Sequence, residues 1–339
     1  MKKYIALLLA LVLALSVVAC GGSASSAPAG ESGEAGAPAE AVTLTLGTGG
    51  TTGTYYAVGG VMQSVLNPVL TLSELTVTST GASKANILDI DDGVSDLAIV
   101  QNDVMYYASQ GTDLFEADGA FDSFSTVACV YAETCQIIAA ADSGITSVAD
   151  LKGKTVSVGD AGSGVEFNAT QILAAYGIDI NADINKVNAS FGDSADSIKD
   201  GKIDAAFVTA GAPTTAVVDL ATTKDIVIIP IDAEHAEALM TDYSFYTKDV
   251  IPAGTYNGQD EDVETIAVQA TLIASNELSE DVVYELTKAL FDNIDSLKTG
   301  HPKFEQLTLE GAIAGASVSL HPGAAKYLTE AGVDVSAVG

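Results

Sequence analysis

The sequence predicts an α/β protein with a mostly parallel sheet covered on both faces, and three observations lead there. The first is the opening stretch: Val42, Leu44 and Leu46 alternate with threonines like a half-buried strand. A loop from Gly47-Thr48-Gly49-Gly50 to Gly53-Thr54-Tyr55-Tyr56 then leads into Val58, Val61, Met62, Val65 and Leu66 at helical spacing. The second is a β-α-β-α-β rhythm. Strand 74–79 runs through Thr80-Gly81-Ala82-Ser83 into a helix carrying Leu88 and Ile90, with Ser83 as its expected N-cap. Strand 96–100 then precedes Gln101-Asn102-Asp103, which opens a helix ending by Gly111. The third is a repeat of the opening device: strand 155–158, loop 159–164, then Val165, Ala169, Ile172, Leu173 and Tyr176.

The remaining elements follow by the same reading. Residues 124–140 hold two apolar strands around Tyr131 to Cys135, and Ser147 to Leu151 is a short capped helix. A helix over 193–200 and a strand over 203–208 lead to Thr209-Ala210-Gly211-Ala212-Pro213, where proline suits a helix start, and 226–229 is a strand. The continuous apolar character of 265–274 suits a buried strand. Ser279-Glu280-Asp281 caps one long helix through Val283, Leu286, Leu290, Ile294 and Leu297, and a last helix begins near His321-Pro322.

The N-terminus indicates the compartment. Lys2 and Lys3 precede an apolar run from Ile5 to Val18 ending in Ala19-Cys20-Gly21, which reads as a signal peptide over 1–20. Residues 21–41 form a Gly/Ser/Ala/Pro tether that cannot bury a core and reaches at most ~70 Å. The net charge is −31 and all 14 basic residues are lysines, so nucleic acid is excluded as a partner.

Several activities lack their residues. The first loop has no Gly-Lys-Ser/Thr ending, and Gly159, Gly162 and Gly164 stand in the wrong order for a dinucleotide fingerprint. Gly162-Ser163-Gly164 is too short for a nucleophile elbow, and Asp89 to Gly93 places glycine one position early for a calcium loop. His235, His301 and His321 share no ligand spacing, so no metal or other cofactor is expected and the chain reads as a non-enzyme. Cys129 and Cys135 are too far apart for a bridge on extended backbone, unless the chain turns between them.

Each glycine loop either merely turns the chain or aims free N–H groups of a helix start at an anion. On the second reading Thr48, Gly49 and Thr54 face Ser163, Gly164 and Asn168 across a cleft, with Tyr55 covering a ligand. Gln101, at a strand's carboxyl end, and Gly211 join them. Ser83 and Asp103 serve either as caps or as contacts, and Lys84 either stays solvated or brings an auxiliary positive charge.

The two loops, Ala98 to Asp103, Asp150 to Gly159, Glu166 with Asn168, and Gly201 to Phe207 together resemble the TAXI family, the solute-binding receptors of tripartite ATP-independent periplasmic (TRAP) transporters. The resemblance spans nearly everything from Val42 onward. It implies a two-lobed, type II periplasmic-binding-protein-like fold with the ligand cleft between lobes: lobe one over 42–134 plus 245–339, lobe two over 135–244. It further implies a monomeric receptor for a small carboxylate, glutamate or a related acid first, with TRAP membrane permease subunits as partners. Val17-Val18-Ala19-Cys20 resembles a lipobox, which implies a lipid on Cys20 as membrane anchor outside the cytoplasm; Val17 stands where leucine is usual. An ABC-type amino-acid receptor or a sensor-coupled receptor is the alternative of similar architecture. Ala132 departs from the family by standing where proline often follows the tyrosine.

Overall fold

A computed structural model describes residues 41–338; the leader, Cys20 and nearly all of the tether lie outside the described residues. The first β-α units are β1 (Val42–Gly47), α1 (Thr54–Leu66), β2 (Ser73–Thr78), α2 (Ser83–Asp91), β3 (Leu97–Gln101) and α3 (Asn102–Gln110). β1 pairs in parallel with β2 and β3. The carboxyl ends of all three strands, and the N-termini of the helices that follow, therefore collect along one edge. Val58, Met62 and Leu66 recur at helical spacing and are fully buried with Leu44, Leu46 and Leu75, which fixes α1 on the sheet.

β4 (Phe124–Ala140) is one 17-residue strand where the sequence suggested two. No break occurs at Tyr131 to Cys135 because a partner strand pairs across it, from Ala270 opposite Tyr131 to Ala267 opposite Thr134. Cys129 and Cys135 lie on this extended strand as free, buried thiols. Each packs 3.7 Å from a threonine hydroxyl, Thr271 and Thr209 respectively.

The second lobe follows with β5 (Thr155–Ser157), α4 (Gly164–Ala175), β6 (Asn185–Val187), α5 (Phe191–Lys199), β7 (Ala205–Ala210), α6 (Thr215–Ala221), β8 (Ile226–Ile229), α7 (Ala233–Asp242) and β9 (Thr247–Ile251). The capped helix expected at 147–151 is a single tight 3₁₀ turn, closed by reciprocal bonds between Ser147 and Asp150. The chain returns along β10 (Val263–Ser275) and finishes with α8 (Glu280–Asp292), α9 (Ile294–Gly300) and α10 (Pro322–Glu330). The long helix expected after Ser279 is two, because Asn293 leaves helical geometry at φ −109°. Apolar spacing continues across the break since Leu290 and Leu297 share one core.

One mixed sheet results, in the order β2-β1-β3-β10-β4-β7-β5-β6, with β8 on β4 and β9 on β10. Its outer strands are parallel, as expected, but the centre is not: β10 runs antiparallel to β3 and β4, and β4 antiparallel to β7. Both central strands pass between the two halves. Tyr131 belongs to the first core and Cys135 to the second. On the return path Tyr246, Ile251, Tyr256, Ile266 and Val268 pack in second-lobe cores and Ala270 in the first. The crossing thus lies within β10, some 25 residues beyond the boundary at 245, because β9 and the start of β10 complete the second lobe.

α10 lies against α8 with almost no room for a side chain between them. A Cβ on Gly323 would collide with the backbone at Glu280 and Tyr284. Gly323→Ala should therefore cost ~1–3 kcal/mol in urea unfolding. Gly60→Ala, exposed on α1 with open space around its Cα, should instead gain ~0.5–1 kcal/mol.

Candidate functional site

Lobe one presents three helix starts to the cleft. The N-caps of α1, α2 and α3 are Gly53, Ala82 and Gln101, and none of them makes a side-chain cap bond. At α1 and α2 the free N–H groups leave partial positive charge at this edge, whereas at α3 the Val104 N–H is taken by the Asp103 carboxylate. Ala82 holds φ at +67° with ψ at −150°, a strained conformation for a residue with a Cβ. The second loop is more self-contained. Ser163 caps α4 by accepting from Glu166 N, while the Glu166 carboxylate takes the N–H of Gly162 at 2.6 Å.

Between the lobes lies a cavity of about 40 Å³, lined from lobe one by Gly49, Gly53, Thr54, Tyr55, Ala82 and Gln101. Glu133 of the crossing strand also lines it, as do Asp160, Ser163, Val165, Phe191, Thr209 and Ala210 from lobe two. This volume holds no more than a few water-sized molecules, so the two sides meet closely here.

A buried network closes them. Gln101 Nε2 donates to Asn168 Oδ1 at 2.9 Å and to Asp103 Oδ1 at 3.2 Å. Asn168 Nδ2 donates to Asp103 Oδ2 at 3.0 Å and to the Tyr246 hydroxyl at 2.8 Å, and that hydroxyl donates to Gln171 Oε1 at 2.5 Å. Thr54 Oγ1 donates to the Gly211 carbonyl at 3.0 Å, a second crossing bond. Tyr107 meets Phe167 edge to face at 4.9 Å. Gly164 is in this seam for a steric reason, since a Cβ there would collide with the Gln101 amide.

The expected site residues thus separate by location. Gly49, Thr54, Tyr55, Gln101 and Ser163 line the cavity, and Gly164, Asn168 and Gly211 form the seam beside it. Thr48 is turned away, its hydroxyl donating to Thr78 O at 2.5 Å while its carbonyl accepts from Asn86. Ser83 does not cap its helix: its hydroxyl accepts the Gln101 N–H at 3.1 Å, tying α2 to β3. Lys84 is spent within lobe one, on Asp118 at 2.6 Å and the Leu114 carbonyl at 2.5 Å, with Phe115 beneath it. Asp103 accepts from its neighbour Val104 N and from Asn168, which makes it part of the seam.

Glu133 was missed, although it is the only charged residue in the 17-residue apolar run of β4. It is 1% exposed, and its Oε1 accepts from the Tyr55 hydroxyl at 2.5 Å. Burial pushes its carboxyl well above the usual range, opposed by the Tyr55 bond. Burial likewise raises Asp160, with Asp193 adding to it, and lifts Asp103 to about 6. No lysine or histidine among the described residues lines the cavity. Among the described residues, no group of three or more His, Cys, Asp or Glu could hold a metal ion, and no helix is long and apolar enough to cross a membrane.

Residues 46–332 match the NMT1-like family, to which the chain belongs. Its fold is similar to that of a Bordetella bronchiseptica RB50 protein of known structure, at 16% identity and TM-score 0.50, over 88% of this chain and 92% of that one. The periplasmic aliphatic sulphonate binding protein SsuA of Escherichia coli matches at 15% identity and TM-score 0.45, covering 85% and 83% of the two chains. The ligand-binding core of GluR0 from Nostoc punctiforme, solved with L-glutamate, matches at 14% and 0.46, covering 77% and 98%.

Two outcomes follow from the seam. Gly164→Val should leave the chain folded but hold the lobes apart, giving a larger radius of gyration in small-angle scattering than the parent. For Asp103 the folded pKa, about 6, exceeds the ordinary 3.8, so its contribution to stability is fullest below pH 3.8 and is lost as pH rises through about 6. The loss is on the order of 3 kcal/mol. Urea unfolding should show that fall, and Asp103→Asn should flatten it.

Proposed function

We propose that this protein is an extracytoplasmic solute-binding receptor that captures a small carboxylate, glutamate or a related amino or organic acid, by closing two lobes on it. One observation carries the reading: a cavity lined from both lobes, with the uncapped starts of α1 and α2 on one wall and, among the described residues, no cationic side chain lining it. Without a cation, a carboxylate is held by backbone N–H groups and hydroxyls. Helix starts contribute up to ~2 kcal/mol when partly buried and charge-assisted hydrogen bonds ~1.5–3 kcal/mol each. Several together reach micromolar affinity, about −8 kcal/mol. Lobe one supplies most of these donors, because the second loop already uses two of its own.

The lipobox-like Val17 to Cys20 supports a lipid anchor on the outer face of the cytoplasmic membrane, and the TAXI-like strings support delivery to a TRAP-type permease. A large fused permease gene beside this one fits that partner; an ATPase gene points instead to an ABC system. Cys20→Ala should abolish detergent-phase partitioning, and an unchanged partition would remove the anchor from the reading.

A thermal-shift screen of amino and organic acids on the form lacking residues 1–20 tests the main proposal. A ligand specific for the native state should raise the melting temperature by mass action and reduce the radius of gyration. Tight binding without compaction would contradict capture by closure. Lys84→Ala, its charge already engaged at Asp118, should change affinity less than about threefold by the small worth of such exposed pairs.

A further inference from the structure

We infer that Glu133 is the specificity-determining residue of the cleft and selects ligands that carry an ammonium group, with a proton released from the protein as such a ligand binds. This rests on the carboxylate-capture reading above and narrows it to amine-bearing acids. Glu133 enters from the crossing strand, where it stands opposite Val268 and reaches the cavity that both lobes line. Its Oε1 is held by Tyr55, while among the described residues Oε2 has no hydrogen-bond partner. Two residues earlier on the same face of β4, Tyr131 buries a hydroxyl that also has no partner. An ordinary structural carboxylate that deep would be fully bonded. Here one carboxylate oxygen, on a side chain that lines the cavity, is left for something that enters it.

The surroundings decide the sign of that group. Facing Glu133 are Tyr55 from α1, Tyr131 and Cys135 from β4, Asp103 from α3, and Lys303 from the 3₁₀ turn 302–306, with Asp160 on the opposite wall. Lys303 is the one cation in this set. It lies over the Cα of Gly211, is itself shifted down by burial and shares its field with Asp249. It makes no ion pair within 4.0 Å of Glu133 among the described residues. Burial with no ion-paired cation favours the neutral form of the Glu133 carboxyl, against the Tyr55 bond and the more distant field of Lys303. An entering R–NH₃⁺ supplies the missing counter-charge, the carboxyl ionises to meet it, and its proton passes to solvent. The carboxylate of the same molecule faces the N-termini of α1 and α2, so the two walls match the two ends of a zwitterion. A ligand with only carboxylates would leave Glu133 protonated.

The test uses the form lacking residues 1–20 and two matched series, the proteinogenic L-amino acids and their 2-oxo acids, by calorimetry in buffers of different ionisation enthalpy. At least one amino acid should bind on the order of 100-fold tighter than its 2-oxo partner. It should release up to one proton, and its affinity should rise with pH while Glu133 keeps its proton. Glu133→Gln, which mimics the neutral acid and should melt no lower than the parent, should erase both the preference and the release. Tyr55→Phe should keep the release but weaken binding. Equal binding of both series, affinity falling with rising pH, or an unchanged preference in folded Glu133→Gln would overturn the inference while leaving carboxylate capture intact. If neither series binds to the folded protein, capture of such acids falls with it.

Discussion

The antiparallel ladder between β4 and β10 is the constraint on which the rest depends. It runs from Phe124 opposite Ser275 to Thr134 opposite Ala267, and every other strand attaches directly or indirectly to one of these two. Because both strands are buried on both faces for most of their length, they read as apolar runs. Because β4 runs through both halves, one side-chain position at its crossing reaches the space between the lobes. Glu133 occupies that position.

Two kinds of bonding then divide the work around the cleft. Backbone ends of α1 and α2 provide donors without any charged side chain, which suits a chain with no arginine at all. Side-chain amides, hydroxyls and one carboxylate provide the seam. Gln101 belongs to both, since it lines the cavity and bonds Asn168.

Much of this was legible because it is local. The strand, glycine loop and helix units at 42–66 and 155–176 were visible from alternation and helical spacing alone, and Gly49, Thr54, Tyr55, Gln101 and Ser163 were within reach of the cavity by their place at strand ends. What escaped is non-local. β4 looked like two strands because nothing in its own residues says that β10 pairs across Tyr131 to Thr134. Asn293 was hidden in a continuous apolar rhythm, since two helices resting on one core keep the spacing of one. Ser83 looked like a cap, although its hydroxyl is used by a backbone N–H 18 residues on. Glu133 did give a signal, a single carboxylate in a long apolar run, but its meaning depended on Tyr55, 78 residues away.

The register of the central ladder shifts between Ala270 and Thr271. Just before that bulge, Val268 packs in the core of one lobe and Ala270 in that of the other. The two cores are therefore joined here by hydrogen-bonded sheet and not by a loose connector. Irregular pairing here, and again between Leu272 and Ile273, gives the sheet local freedom to twist. The two halves would then move as stiff leaves on a narrow fold line, with a small range of angles, and most of what a solute must overcome on entry would reside in the side-chain seam and little in the backbone.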